Sequence, residues 1–194
     1  KLSKEELHAF PIKKFSGEIY LIDDFKNLNK AIDILKEQTV LGFDTETRPA
    51  FKKGVFNNVA LIQLSTQNQA FLFRINKIGL PDALIDVLTD ESIIKVGAAI
   101  RDDLKALKKI NPFTPSSFID LQNYVKYFGI ESYSLQKMSA IVLGFRISKS
   151  QQLSNWETTE LTKAQMVYAA TDAWVSLEIY LKLKNNPVKN NPRH

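Results

Sequence analysis

The sequence predicts an α/β fold: a mixed sheet, an antiparallel meander followed by parallel strands, with helices on its faces. Three observations carry that prediction. Strand-like runs come first and close together, at residues 40–46, 59–65 and 70–73. Short apolar strands then alternate with helical patterns from Pro81 onward, as they do where parallel strands are joined by helices. Finally, 44% of the 194 residues are hydrophobic, yet no apolar run approaches the roughly 18 residues that span a bilayer. One domain with a substantial core and no membrane partner is expected.

The elements follow in order. Residues 18–22 read as a strand, and Asp23 or Asp24 can cap a helix whose stripe is Phe25, Leu28, Ile32 and Leu35. Between the first two meander strands lies a basic loop, 48–58, with Pro49 and Gly54; between the last two, Gln67-Asn68 has hairpin length. Helix is expected over 81–88, strand over 93–96, helix over 100–109, a short strand over 118–120 and helix over 121–128. Ser134 can cap a helix over 135–143 that Gly144 ends. The longest helix runs from a Thr162 cap to about Leu183, with Thr171, Glu178 and Lys182 on its solvent stripe. This divides the chain into an N-terminal extension, 1–19, a folded domain, 20–183, and a tail, 184–194, whose prolines and asparagines read as disordered.

Composition removes several chemistries. There is no cysteine, hence no disulfide framework, zinc-thiolate site or cysteine nucleophile, and a cytoplasmic location is expected. The two histidines, His8 and His194, lie near the ends, where neither can build a metal pair or a Ser-His-Asp triad. Catalysis must therefore run on carboxylates, Tyr, Lys or backbone. A net charge of +5 suits a polyanionic partner and is also common on plain soluble domains.

Three acidic features stand out. Asp44 and Glu46 end an apolar strand, and their spacing by two puts both on one face; taken alone, such a pair is equally a solvated strand end. Asp172 shares its helix face with Tyr168, Val175 and Ile179, which is also the pattern of a buried acid satisfied by a tyrosine hydroxyl. Asp102 and Asp103 sit in a first helical turn, where the helix dipole already favours acids. In a sheet of this order, Asp44, Glu46, Asp103 and Asp172 can converge. Carboxylates in contact repel by about 4 kcal/mol per pair at an effective dielectric of about 20, so such a cluster needs cations. All-oxygen ligands select hard ions such as Mg²⁺ or Mn²⁺, and a pair of them is the standard device for phosphoryl displacement.

Phe43-Asp44-Thr45-Glu46-Thr47, the run from Val96 to Leu104 containing Asp103, and Tyr168-Ala169-Ala170-Thr171-Asp172 resemble, in order, the three motifs of the DEDD 3′-5′ exonucleases. The tyrosine four residues before the last acid marks the DEDDy branch. The flanks Val59-Ala60-Leu61-Ile62-Gln63-Leu64-Ser65 and Ser154-Asn155-Trp156 are similar to the ribonuclease D and Werner-syndrome-type group. The resemblance implies a ribonuclease H-like fold with a five-stranded mixed sheet. It also implies release of nucleoside 5′-monophosphates from the 3′ end of DNA or RNA by two-metal-ion hydrolysis.

By the same resemblance, Asp44, Glu46 and Asp172 would hold the Mg²⁺ or Mn²⁺ ion that activates water. Asp44 with Asp103, directly or through water, would hold the second ion at the leaving 3′ oxygen, and Tyr168 would orient the water. Lys149, Ser150 and Trp156 match the substrate-contacting loop before the last helix, the alternative being an exposed polar loop whose Trp packs on the core. From its position after the first motif, Arg48 with Lys52-Lys53 is close enough to meet a phosphate backbone, and reads equally as a solvated loop. Asp102 is expected at the surface. Ending after the nuclease suits the Werner-type group better than a complete ribonuclease D. The alternatives are a non-catalytic nucleic-acid-binding module on the same fold and a phosphodiesterase for small oligonucleotides.

Overall fold

The computed structural model describes residues 2–52 and 54–185. Six strands, β1 (Glu18–Ile22), β2 (Val40–Thr47), β3 (Val59–Ser65), β4 (Gln69–Arg74), β5 (Ile94–Gly97) and β6 (Phe118–Asp120), form one sheet in the order β1-β4-β3-β2-β5-β6. The expected meander is β2-β3-β4, antiparallel throughout; β5 and β6 add in parallel beyond β2. The sheet has six strands, not the five that the resemblance implied, because both short outer runs pair. β6 pairs with β5, and β1 runs parallel to β4 from Glu18 opposite Gln69.

Eight α-helices are found among the described residues: α1 (Lys4–His8), α2 (Leu28–Lys36), α3 (Ile75–Ile78), α4 (Asp82–Thr89), α5 (Arg101–Ile110), α6 (Leu121–Tyr124), α7 (Leu135–Leu143) and α8 (Lys163–Asn185). None is long and apolar enough to cross a membrane. The stretch expected as one helix over 121–128 divides into α6 and a 3-10 turn, Val125–Phe128, ended by left-handed Gly129. Ser134 caps α7 and Gly144 ends it at φ 77°, as its sequence signals require. α2 starts later than expected. Asn27 precedes it without a capping bond, and Phe25 lies outside the helix, 63% exposed. The residues after Asn185, where disorder is expected, and Lys53 lie outside the described residues.

The β2 pleat separates two environments. Leu41 and Phe43 join the core that α2, α4 and α5 close, whereas Gly42, Asp44 and Glu46 face α8. α8 begins with a capping box: the Gln165 amide donates to Thr162 Oγ1 at 3.1 Å and the Thr162 amide to Gln165 Oε1 at 3.0 Å. The helix is buried on more than one side. Thr171, expected at the solvent, is 4% exposed, because the segment before β1 crosses the helix there and the Phe15 amide donates to Thr171 Oγ1 at 2.9 Å.

Candidate active site

Close approach of α8 to β2 creates the site. A Cβ on Gly42 would stand 1.9 Å from the Ala173 carbonyl oxygen, so only glycine lets the helix lie this near the strand. Asp172, next to Ala173, is thereby laid against Asp44 and Glu46. Each of the three carboxylates offers an oxygen within 4.8 Å of the other two. Glu46 and Asp172 are 9% and 8% exposed, and Asp44 keeps more of its surface open.

Gln63, fully buried on β3, lies directly opposite Asp44, so its side chain shares that face and its Nε2 donates to Glu46 Oε1 at 3.3 Å. The Tyr168 side chain, one helical turn before Asp172, stands close enough to act on the Asp172 carboxylate. Asp103 stands apart from the three. It rides on α5, against the other face of the sheet, and accepts from Thr45 Oγ1 at 2.5 Å, yet its charge still acts on Asp44 and Glu46. Asp102 is exposed, as expected.

Burial and mutual repulsion shift these acids towards their protonated forms. Asp44 is pushed well above the usual carboxylate range by desolvation first, then by the charges of Asp172 and Asp103. Glu46 is pushed up to about 10 by desolvation, then by Asp44, Asp172 and Asp103. Desolvation raises Asp172 to about 7, offset in part by the Tyr168 hydrogen bond and by Lys149. Desolvation also raises Asp103, against the Thr45 hydrogen bond, and raises Tyr168, which is therefore no base. The donor set, all oxygen and short of cations, fits a hard divalent metal ion.

A pH dependence follows. The folded chain binds more protons on these acids than the unfolded chain does, so metal-free protein loses stability as pH climbs from the ordinary carboxylate range through about 7, for Asp172, towards about 10, for Glu46. Melting curves across that range in a chelator should fall with pH, and excess Mn²⁺ should flatten them. Curves independent of pH in the chelator would contradict the shared repulsion.

The surrounding residues meet the sequence expectations unevenly. Lys149 is exposed and within electrostatic reach of Asp172; with Tyr168 and Asp172 it lines a cavity of about 180 Å³. Ser150 is exposed in the same loop. Arg48 pairs with Glu157 at 3.3 Å, in the loop that also exposes Phe51 and Phe56. Trp156 departs from expectation: it is fully buried, its ring 5.9 Å from that of Tyr168. It backs the tyrosine instead of presenting an indole to substrate.

Two further positions escaped the sequence reading. Thr45 orients Asp103, and only the β2–α5 crossing reveals it. Arg74, fully buried on β4, donates Nη1 to the Thr159 carbonyl at 2.8 Å and Nη2 to that of Thr158, fastening the loop that carries Trp156. A charged residue ending an apolar strand was its one sequence signal.

Comparison with known proteins agrees with this geometry. A family model described as 3′-5′ exonuclease matches residues 19–186. The bifunctional 3′-5′ exonuclease/ATP-dependent helicase WRN of Mus musculus is 35% identical over 185 residues, 90% of this chain; the chain spans only 13% of that relative's length. Among solved structures, the Nibbler EXO domain of Aedes aegypti superimposes with a TM-score of 0.78 at 25% identity, covering 92% of this chain and 94% of that one. Escherichia coli RNase D gives a TM-score of 0.78 at 25% identity, covering 87% of this chain and 44% of that one. With its three motifs in order, three of its four motif acids converging and most of its length matched, this chain belongs to the 3′-5′ exonuclease family.

Proposed function

We propose that this chain removes nucleoside 5′-monophosphates from the 3′ end of a DNA or RNA strand with the help of two divalent ions, Mg²⁺ or Mn²⁺. The observation that carries the reading is the convergence of Asp44, Glu46 and Asp172 within 4.8 Å, with Tyr168 beside the last of them. Asp44, Glu46 and Asp172 would hold one ion, and Asp44 with Asp103 the other. Bound there, the ions would neutralise the acids and the phosphate, make water more acidic and stabilise the leaving oxygen.

The remaining work falls to the chain's own residues. Tyr168, with the Trp156 ring behind it, would orient the attacking water by a hydrogen bond. Water adds to phosphorus as the bond to the 3′ oxygen breaks, and that oxygen leaves with a proton. Lys149, which lines the cavity with Asp172, together with Ser150 and Arg48 would supply contacts for the phosphate backbone. The mouse relative is named an exonuclease and helicase, and the bacterial neighbour an exoribonuclease involved in structured RNA processing; both support a polynucleotide substrate. The filled motif positions and the converging acids speak against a non-catalytic module.

The test is incubation of the folded protein with a 5′-labelled single strand in Mg²⁺ or Mn²⁺. A ladder of shortened, still labelled products is expected, and no ladder in either metal would refute the reading. Tyr168→Phe removes one hydrogen bond to a developing charge, so kcat should fall about 10- to 100-fold with KM little changed. Unchanged kcat would remove Tyr168 from the reaction.

A further inference from the structure

Beside the acidic cluster, and outside it, runs a groove of about 440 Å³. One wall is the segment before β1, with Lys13 and Lys14; the other is the first part of α8, with Lys163, Val167 and Tyr168; Ser150 closes one side. The segment is fastened at both ends. Ile12 bridges in parallel to Arg146, the Lys13 amide donates to the Arg146 carbonyl at 3.0 Å, and the Arg146 amide to that of Pro11 at 2.9 Å. Beyond the lysines, Phe15 is buried, 5.9 Å from the Trp174 ring, with its amide on Thr171.

The three lysines are exposed, no acid lines the groove, and among the described residues none of the three is in a salt bridge. The floor between them is apolar, with Ile12 56% exposed and Val167 half-buried. Tyr168 and Ser148 line both this groove and the cavity that holds Asp172 and Lys149, so the two adjoin at these side chains.

The geometry points to this groove as a subsite for the phosphodiester backbone of a single strand, away from the scissile bond. Phosphates would meet Lys13, Lys14 and Lys163, and sugar and base edges would lie on the apolar floor. Lys163 stands five residues before Tyr168, a helical rise of about 7.5 Å along α8, so a strand ending at the acids would have to extend along the helix to reach it. Lys13 and Lys14 precede residue 19, where the family match begins. The inference rests on the exonuclease reading for its substrate, but binding reads it separately.

The experiment measures anisotropy of a 5′-fluorescent single strand, protected from cleavage by phosphorothioate linkages, against wild type and the triple variant Lys13→Glu/Lys14→Glu/Lys163→Glu at several salt concentrations. The variant should raise Kd about tenfold or more and lower the slope of log K against log salt by about two, the loss of three contacts on a single strand. Lys→Arg at the same positions should retain binding. In turnover, the variant should raise KM on the unprotected strand and leave kcat, and the rate on a dinucleotide, unchanged. Equal Kd and salt slope in a variant that melts like wild type would overturn the subsite. So would an acidic peptide of equal charge displacing the strand at equal concentration. Wild type that binds the strand through these lysines but yields no ladder would instead overturn the exonuclease reading and leave the groove standing.

Discussion

Asp44→Asn should lower kcat by about a thousandfold or more while raising the melting temperature of the metal-free protein. Asp44 faces both other members of the cluster and feels the charge of Asp103, and in the proposed site it is the acid that both ions would share. Several kcal/mol of transition-state charge stabilisation depend on such ions, and each 1.36 kcal/mol is tenfold in rate. The opposite sign on stability has the same origin. Removing one carboxylate relieves repulsion on Asp172 and Glu46, and relief of about 1 kcal/mol is about 2–4 °C in Tm for a chain of this size. The stabilisation that Mn²⁺ confers on wild type should shrink in parallel. A variant that turns over normally would refute the site; one that loses activity but melts lower in chelator would show that the acids do not oppose one another.

Gly42→Ala is expected to damage both fold and site without touching a functional group. The new methyl would meet the Ala173 carbonyl at 1.9 Å, and backbone on both sides leaves only rigid-body separation of α8 from β2 as relief. Overpacking of this kind costs about 1–3 kcal/mol. The separation carries Asp172 away from Asp44 and Glu46, and a misplacement of about 1 Å can cost about a hundredfold in rate. Turnover should therefore fall further than stability alone explains, and excess Mn²⁺ should recover little of it. Wild-type melting and turnover together would show that the helix is free to slide.

Much of the fold could be read because its signals are local. The strands β2 and β3, the Ser134 and Gly144 caps of α7 and the Thr162 start of α8 each follow from side chains within a few residues of one another. Misreadings arose where distant segments decide. Thr171 has the pattern of a solvent position until the N-terminal segment crosses it, and of the two readings open for Trp156, substrate contact or packing on the core, the loop that Arg74 fastens decides for the core. Phe25 keeps helical spacing with Leu28, but the chain enters α2 only after Asn27.

The candidate site divides the same way. The acids Asp44 and Glu46 fall on one face because strand side chains alternate, and Tyr168 and Asp172 on another because helix positions four apart align; both facts are local and follow from sequence alone. Whether the two faces meet depends on the distance between α8 and β2, which the contact of Gly42 with Ala173 sets. The same holds for Asp103, whose approach is fixed by Thr45 from across the sheet, and for Lys13 and Lys14, brought beside Tyr168 by pairing with Arg146. Sequence alone determined the chemical types present, carboxylates and a tyrosine without cysteine or a placed histidine, and their local spacing. Tertiary structure decided which of them share one space, because that depends on packing between segments far apart in the chain.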